Sequence, residues 1–510
     1  MKLWRNTWLI ALLLAVLASG QTVSAQGAPL GGFDEYVNKA IRDWEVPGIA
    51  IAIVKDDKIV FAKGYGVRKL GDSEPISERT LFALGSVSKA FTAASVAMLV
   101  DEGKLKWDDP VAKHLPGFEL YDPYVTRELT VRDLLSHRSG LPGGDFIWYG
   151  TDLDREEVMC RVRYLKPSSS LRSRFGYNNL MFLAAGQIVA RVSGKGWDEF
   201  IRDRIFTPLG MTASNTSIRY LDGNVASPHD EISGRLTVVP WRSLDNVAPA
   251  GSINSNVVEV AQWLLLQLGQ GAFENGRLIS AGAVKEMHRS QTVMRAESPF
   301  SLWHPDIHFV NYGLGWFLSD YKGRKVVEHV GSIDGMRAQV ALIPEEKLGL
   351  VILANRGGTS LPTALSYKIF DVYLGSAPRD WSVEMLKKER SATGQEKAAE
   401  KKLEAERVKD TKPTHTLDNY AGTYRNDLYG EVTITHGNGK LNLRFGPSFT
   451  GDMEHWHYNT FRAQFPANAL TADALATFSL NPQGKIENVT LNLMPDYPFK
   501  RGREPAAAVR

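Results

Sequence analysis

A chain of 510 residues is long enough for roughly three domains of ordinary size, or for one large domain with a smaller companion. With 43% hydrophobic and 23% charged residues it has the material for a sizeable core, which excludes a disordered or collagen-like chain. Lys plus Arg number 60 against 57 Asp plus Glu, a net charge of +3 that gives no argument for a nucleic-acid partner, and the single cysteine, Cys160, excludes an internal disulfide, a cysteine-rich zinc site and a CxxC redox pair.

The first 25 residues read as a secretory leader. Lys2 and Arg5 supply the positive start, Trp8 to Ala18 an apolar run, and Val23-Ser24-Ala25 small residues for cleavage. The run is too short for a stable transmembrane anchor, which wants about 20 residues, and no later stretch approaches that length. The expectation is a periplasmic or secreted protein. Residues 48–55 and 58–67 are apolar and β-branched around Asp56-Asp57, a hairpin signal. Residues 86–102 read as a helix with Phe91, Ala94, Met98 and Leu99 at apolar periodic positions and Gly103 as the stop. Helices are expected at 130–137, 178–193 and 256–269, strands at 325–330, 336–344 and 348–354, and a closing helix at 362–374. Strands at both ends with helices between predict an α/β or α+β domain whose sheet draws on both ends. Lys and Glu of mixed order dominate 385–412, a solvated helix or linker and no binding patch. From Tyr420 onward short strands are expected at 431–435, 441–445, 476–480 and 486–493, with turns at Gly437-Asn438-Gly439 and Asn481-Pro482-Gln483-Gly484. Residues 413–500 thus predict a small antiparallel β domain of barrel type.

Three elements carry chemistry. Ser86-Val87-Ser88-Lys89 is an S-x-x-K at the start of the first apolar helix, so Ser86 and Lys89 share one helix face. A serine hydroxyl is a poor nucleophile until a neighbouring base takes its proton, and a buried lysine has its pKa lowered toward that task. Tyr177-Asn178-Asn179 precedes the apolar helix 180–192; a tyrosine there can shuttle a proton, and an asparagine can bind a substrate carbonyl. His329-Val330-Gly331-Ser332 lies on a strand, where Gly331 lets a substrate lie against the edge and the Ser332 N–H joins that of Ser86 in an oxyanion hole. Each element has a plainer reading: an N-terminal serine with a solvated lysine, an asparagine helix cap, a histidine satisfied by its neighbours.

The joint occurrence of S-x-x-K, Y-x-N and H-x-G in this order resembles the serine β-lactamase and DD-peptidase family, and most of all its class C-like group of D-Ala-D-Ala carboxypeptidases, D-aminopeptidases and carboxylesterases. Val46-Pro47-Gly48, Gly64-Tyr65-Gly66, Thr130 to Pro142, Pro249-Ala250-Gly251-Ser252 and Tyr312-Gly313-Leu314-Gly315-Trp316 resemble it too, so the likeness spans roughly residues 33–375. It implies an α+β domain with an antiparallel sheet flanked by helices over 26–380, a charged linker over 381–412 and an appended all-β domain over 413–510. It implies Ser86 as acylated nucleophile, Lys89 as its helper, Tyr177 as general base and acid, and Asn179, His329, Gly331 and Ser332 as substrate-binding residues. His329 stands where many β-lactamases of the family carry lysine, which points to a peptidase on short peptides, D-residues included, ahead of an esterase or a weak β-lactamase. A penicillin- or peptide-sensing module without catalysis is the alternative of another class.

Other residues weigh less. His137 reads as structural. His304, Asp306 and His308 have metal-like spacing, but Pro305 interrupts the helix that would align them, so no metal site is expected. Gly64-Tyr65-Gly66 lacks the third glycine of a dinucleotide fingerprint, and there is neither a P-loop nor a G-x-S-x-G elbow, so no cofactor is expected. Trp303, Trp316 and Trp456 read as core or pocket wall. The loops around 143–170 and 285–312 carry no pattern that converts to specificity.

Overall fold

The computed structural model describes residues 30–274, 276–294, 307–465 and 473–502. The leader, Trp303, His304 and Asp306 lie outside the described residues.

Gly48–Lys55 (β1) has no polar residue before Lys55 and is buried along its whole length up to that point. Such a strand needs a partner on each edge and a layer on each face. Lys58–Gly66 (β2) covers one edge after the turn at Asp56 and Asp57, both at positive φ. Thr292–Met294 (β3), Val310–Tyr312 (β4), Phe317–Tyr321 (β5), Arg324–Ile333 (β6), Met336–Ile343 (β7) and Leu348–Ala354 (β8) complete an antiparallel sheet in the order β2-β1-β8-β7-β6-β5-β4-β3. The sheet is therefore assembled from both ends of the domain, as the sequence predicts. Strands β3 to β5 were not expected; they are short and form its far edge.

Alternation along β1 divides the core. Ala50, Ala52 and Val54 join a cluster with the helices Ser88–Asp101, Asn179–Ser193 and Val257–Leu268, whereas Ile49, Ile51 and Ile53 face the opposite way. The second face is covered by Phe33–Asp43 and Leu361–Tyr373. Ser88–Asp101 is buried from Ser88 to Leu99 on every side, so a lysine inside it is withdrawn from water. Trp381–Ala405 is a helix whose first turns bury Trp381, Ser382 and Met385; its charged remainder lies on the surface. Eight strands between Gly422 and Arg501 close into an antiparallel barrel, the last, Phe499–Arg501, pairing with the first, Gly422–Asn426. Among the described residues no helix is long and apolar enough to cross a membrane.

Candidate active site

The site forms where the N-terminal end of Ser88–Asp101 meets β6 and the start of Asn179–Ser193. Gly85–Val87 is a single 3₁₀ turn leading into the helix, and Ser86 rides on it. The Ser88 hydroxyl locks this turn, donating to the Gly85 carbonyl at 2.8 Å and accepting the Ile253 N–H at 3.0 Å. Gly85 has φ +52°, and a Cβ there would lie 2.9 Å from the Ser332 nitrogen. The missing side chain is what lets the Ser86 turn press against the end of β6.

Lys89 is 0% exposed. Its Nζ lies 3.0 Å from Ser86 Oγ, 2.7 Å from Asn179 Oδ1 and 2.9 Å from the Ala250 carbonyl. Burial disfavours its charged form and lowers its pKa to about 7, while the nearby Asp145 carboxylate opposes the shift. Tyr177 shares a side-chain hydrogen bond with Ser86, and burial raises its phenol well above the ordinary range. Lys89 Nζ also sits 4.8 Å from the centroid of the Tyr177 ring.

The Y-x-N spacing has a local cause. The Asn178 side chain caps Asn179–Ser193 by accepting the Met181 N–H, so Tyr177 stands just outside the helix and Asn179 is its first residue. The Asn178 N–H donates to His137 Nδ1 at 3.1 Å, and the His137 ring lies 4.2 Å from that of Tyr177. His137 is held at φ +52°, and its burial keeps it neutral; it is a positioning residue, in keeping with the structural reading. Asp145, which sequence reasoning missed, accepts from Asn179 Nδ2 and from Trp148 Nε1, each at 2.9 Å. That bond turns the Asn179 carbonyl toward Lys89.

His329 is 0% exposed. Its Nδ1 donates to the Val330 carbonyl at 2.8 Å, which leaves Nε2 to accept from the Tyr312 hydroxyl at 3.0 Å. Burial, with the Lys89 charge second, lowers its pKa to about 3, so it is a neutral acceptor. At Gly331 a Cβ would lie 1.8 Å from the Leu84 carbonyl, so the missing side chain lets that carbonyl press against β6. Ser332 pairs with Arg337 one step from the Ile333–Met336 end of the β6-β7 hairpin. In a two-residue hairpin that is a non-hydrogen-bonded pair, so the Ser332 N–H points away from β7, toward Gly85 and Ser86.

A cavity of about 390 Å³ opens from Ser86, Tyr177, Asn179, His329 and Ser332. The barrel reaches its rim. Ser448 accepts from the Arg242 guanidinium at 2.9 Å, and Arg242 and the Tyr149 hydroxyl both bond Asp334. The Phe449 ring lies 5.5 Å from that of Phe146. His308 is bonded by Asp320 at 2.6 Å, and among the described residues no group of three His, Cys, Asp or Glu is arranged to hold a metal. Trp316 is buried against His288, and Trp456 belongs to the barrel.

The family profile described as Beta-lactamase matches residues 33–373, and a profile described as a Domain of unknown function matches 406–503. The chain is 29% identical to the "Unguisins hydrolase ungD" of Aspergillus violaceofuscus, over 91% of this chain and 88% of that protein. It is 29% identical to "Penicillin-binding protein 4" of Amycolatopsis lactamdurans, over 61% of this chain and 81% of that one. In fold it is similar to the octameric penicillin-binding protein homologue from Pyrococcus abyssi, with a TM-score of 0.62, 24% identity, and coverage of 92% of this chain and 99% of that one.

Proposed function

The chain belongs to the beta-lactamase family, and from that premise we propose that it is an exported serine hydrolase that forms an acyl-enzyme on Ser86 and acts as a peptidase on short linear peptides, including peptides with D-residues. The reading is carried by one observation: a fully buried lysine, with its pKa near 7, within 3.0 Å of Ser86 Oγ.

Neutral Lys89 has two N–H donors and one lone pair. Asn179 Oδ1 and the Ala250 carbonyl can only accept, so they take the two donors. The lone pair is left for Ser86, whose proton passes to Nζ as Oγ attacks the substrate carbonyl. The Ser86 and Ser332 N–H groups bind the oxyanion. Tyr177, a phenol at neutral pH, gives its proton to the departing amine while accepting the one held on Lys89; water then releases the acyl group by the reverse relay. Because His329 is neutral, it offers no charge to a β-lactam carboxylate, and β-lactamase activity is expected to be weak. The hydrolase and penicillin-binding names of the relatives agree with this chemistry.

The test is intact mass after treatment with a fluorophosphonate, paired with turnover of D- and L-peptides, p-nitrophenyl esters and a chromogenic cephalosporin. The adduct and peptide cleavage should both vanish in Ser86→Ala. An equal adduct on that variant overturns the assignment of Ser86; cleavage of esters alone replaces the peptidase by an esterase; a stable penicillin adduct without turnover replaces the enzyme by a sensor.

A further inference from the structure

Asp145 stands on a loop with little of its own to hold it. Among the described residues, the main-chain hydrogen bonds of 144–151 run only from turn to turn within the loop: the Trp148 and Tyr149 N–H groups donate to the Asp145 carbonyl, Ile147 to Gly144 and Thr151 to Trp148. A segment whose main chain bonds only to itself takes its position from what packs against it.

What packs against this loop is the barrel, through two of its turns. The first, 446–448, joins the strands Lys440–Phe445 and Phe449–His457. A Cβ on Gly150 would lie 2.5 Å from both Cβ and Oγ of Ser448, and one on Gly446 would lie 3.2 Å from the Gly150 carbonyl. The Phe449 ring, at the end of this turn, lies 5.5 Å from that of Phe146 and 6.1 Å from that of Tyr149. The second turn, 427–429, carries Tyr429 to the neighbourhood of Asp145: burial, then the Tyr497 phenol, then the Asp145 carboxylate disfavour ionisation of Tyr429. The apolar residues inside the barrel form one continuous cluster with those of the helices behind Ser86, so the barrel is docked by a shared core.

The first turn also reaches the opposite wall of the cleft. Arg242 donates from Nη1 to Ser448 Oγ and from Nε to Asp334, each at 2.9 Å, and its guanidinium lies 4.6 Å from the centroid of the Tyr149 ring. Asp334, which also accepts the Tyr149 hydroxyl at 2.7 Å, stands two residues beyond Ser332 in the turn that ends β6. Ser86 lies between these two walls, yet among the described residues that line the cavity none belongs to the barrel. The barrel braces the site from outside it.

We propose that the barrel tip, residues 446–449, is a positioning element of the active site: by bracing the 144–151 loop it keeps Asp145 on Asn179 and beside Lys89, so the appended domain governs the relay without touching the substrate. This rests on the serine hydrolase reading above. The titratable groups facing Lys89 are Asp145, Tyr177, His137 and His329. Burial keeps both histidines neutral and Tyr177 a phenol, which leaves Asp145 as the charge that favours protonated Lys89 against the effect of burial. The Ala250 carbonyl at 2.9 Å and the Phe182 ring at 5.5 Å belong to other elements of the core. When the loop draws back, Lys89 keeps its burial and loses the carboxylate.

Two cuts in the full-length protein test this. Ser448→Arg makes one from the barrel side, because a longer side chain has no room against Gly150 and sets a second guanidinium beside Arg242. Phe146→Ala makes the other from the loop side, removing the ring that meets Phe449. The readout is the rate at which a fluorophosphonate labels Ser86, followed by intact mass as a function of pH. Ser448→Arg should slow labelling about 10²-fold, the cost of displacing a reacting group by about 1 Å, and Phe146→Ala should slow it less. In both, the limb that reports deprotonation of Lys89 should move to lower pH, as in Asp145→Asn. Added to Asp145→Asn, either cut should move that limb no further, because the carboxylate through which it acts is already gone. An unchanged rate and limb in Phe146→Ala overturn the proposal even if Ser448→Arg does not fold. A limb that moves to higher pH, or a shift that adds to that of Asp145→Asn, overturns it as well. A wild type whose Ser86 is not labelled is a different failure: it removes the hydrolase reading itself.

Discussion

Replacing Lys89 by methionine tests the electrostatics on which the mechanism depends. Lys89 is fully buried, and that burial lowers its pKa from 10.5 to about 7. Between these two values the unfolded chain binds a proton that the folded chain does not, so stability rises with pH across that window. The penalty is absent above 10.5, grows as pH falls, and is complete below about 7. At 1.36 kcal/mol per pH unit it reaches about 5 kcal/mol in all, of which about 3 kcal/mol develops between pH 9 and pH 6. Methionine keeps the apolar length and carries no charge, so Lys89→Met should lack this component. The hydrogen bonds lost to Asn179 and Ala250 shift the variant's stability by an amount that pH does not change, which makes the trend with pH the readout. Urea unfolding followed by tryptophan fluorescence suits it: of the 12 tryptophans, Trp456 alone falls within the barrel, so the signal reports the larger domain. Wild type should lose about 3 kcal/mol relative to Lys89→Met from pH 9 to pH 6, and the variant should have no turnover. Parallel stability profiles would refute the lowered pKa and, with it, Lys89 as the base.

The remaining predictions concern the neighbours of that relay. Tyr177→Phe should cut kcat by about 10²-fold or more if the phenol passes the proton; an unchanged rate removes it from the relay. In the wild type kcat/KM should rise with pH through about 7 as Lys89 becomes the free amine, and Asp145→Asn should move that limb to lower pH, because the Asp145 carboxylate is what opposes the lowering of the Lys89 pKa; a shift to higher pH would contradict the arrangement. Gly331→Ala should lower the melting temperature and abolish turnover together, since its Cβ would lie 1.8 Å from the Leu84 carbonyl that precedes the Ser86 turn. A Gly331→Ala protein of wild-type stability would mean that β6 and the Ser86 turn are less tightly apposed than described.

What the sequence disclosed, and what it did not, follows from how local each cause is. β1 and β8 are legible because strands buried on both faces are written as continuous apolar runs. Val310–Tyr312 and Phe317–Tyr321 are too short for a period, and in the barrel Phe449–His457 hides its inward Phe449, Met453 and Trp456 among polar residues and a β-bulge. Asp145 was invisible for a different reason: it is one aspartate in a loop without pattern, and its meaning comes from Asn179, 34 residues away. The tyrosine-asparagine element lies at the other extreme. Its plain reading as a helix cap and its chemical reading are the same arrangement, for it is the capping of Asn179–Ser193 by Asn178 that leaves Tyr177 outside the helix beside Ser86 and sets Asn179 on the first turn beside Lys89. A spacing of this kind is readable in a sequence when, as here, one turn of backbone produces it.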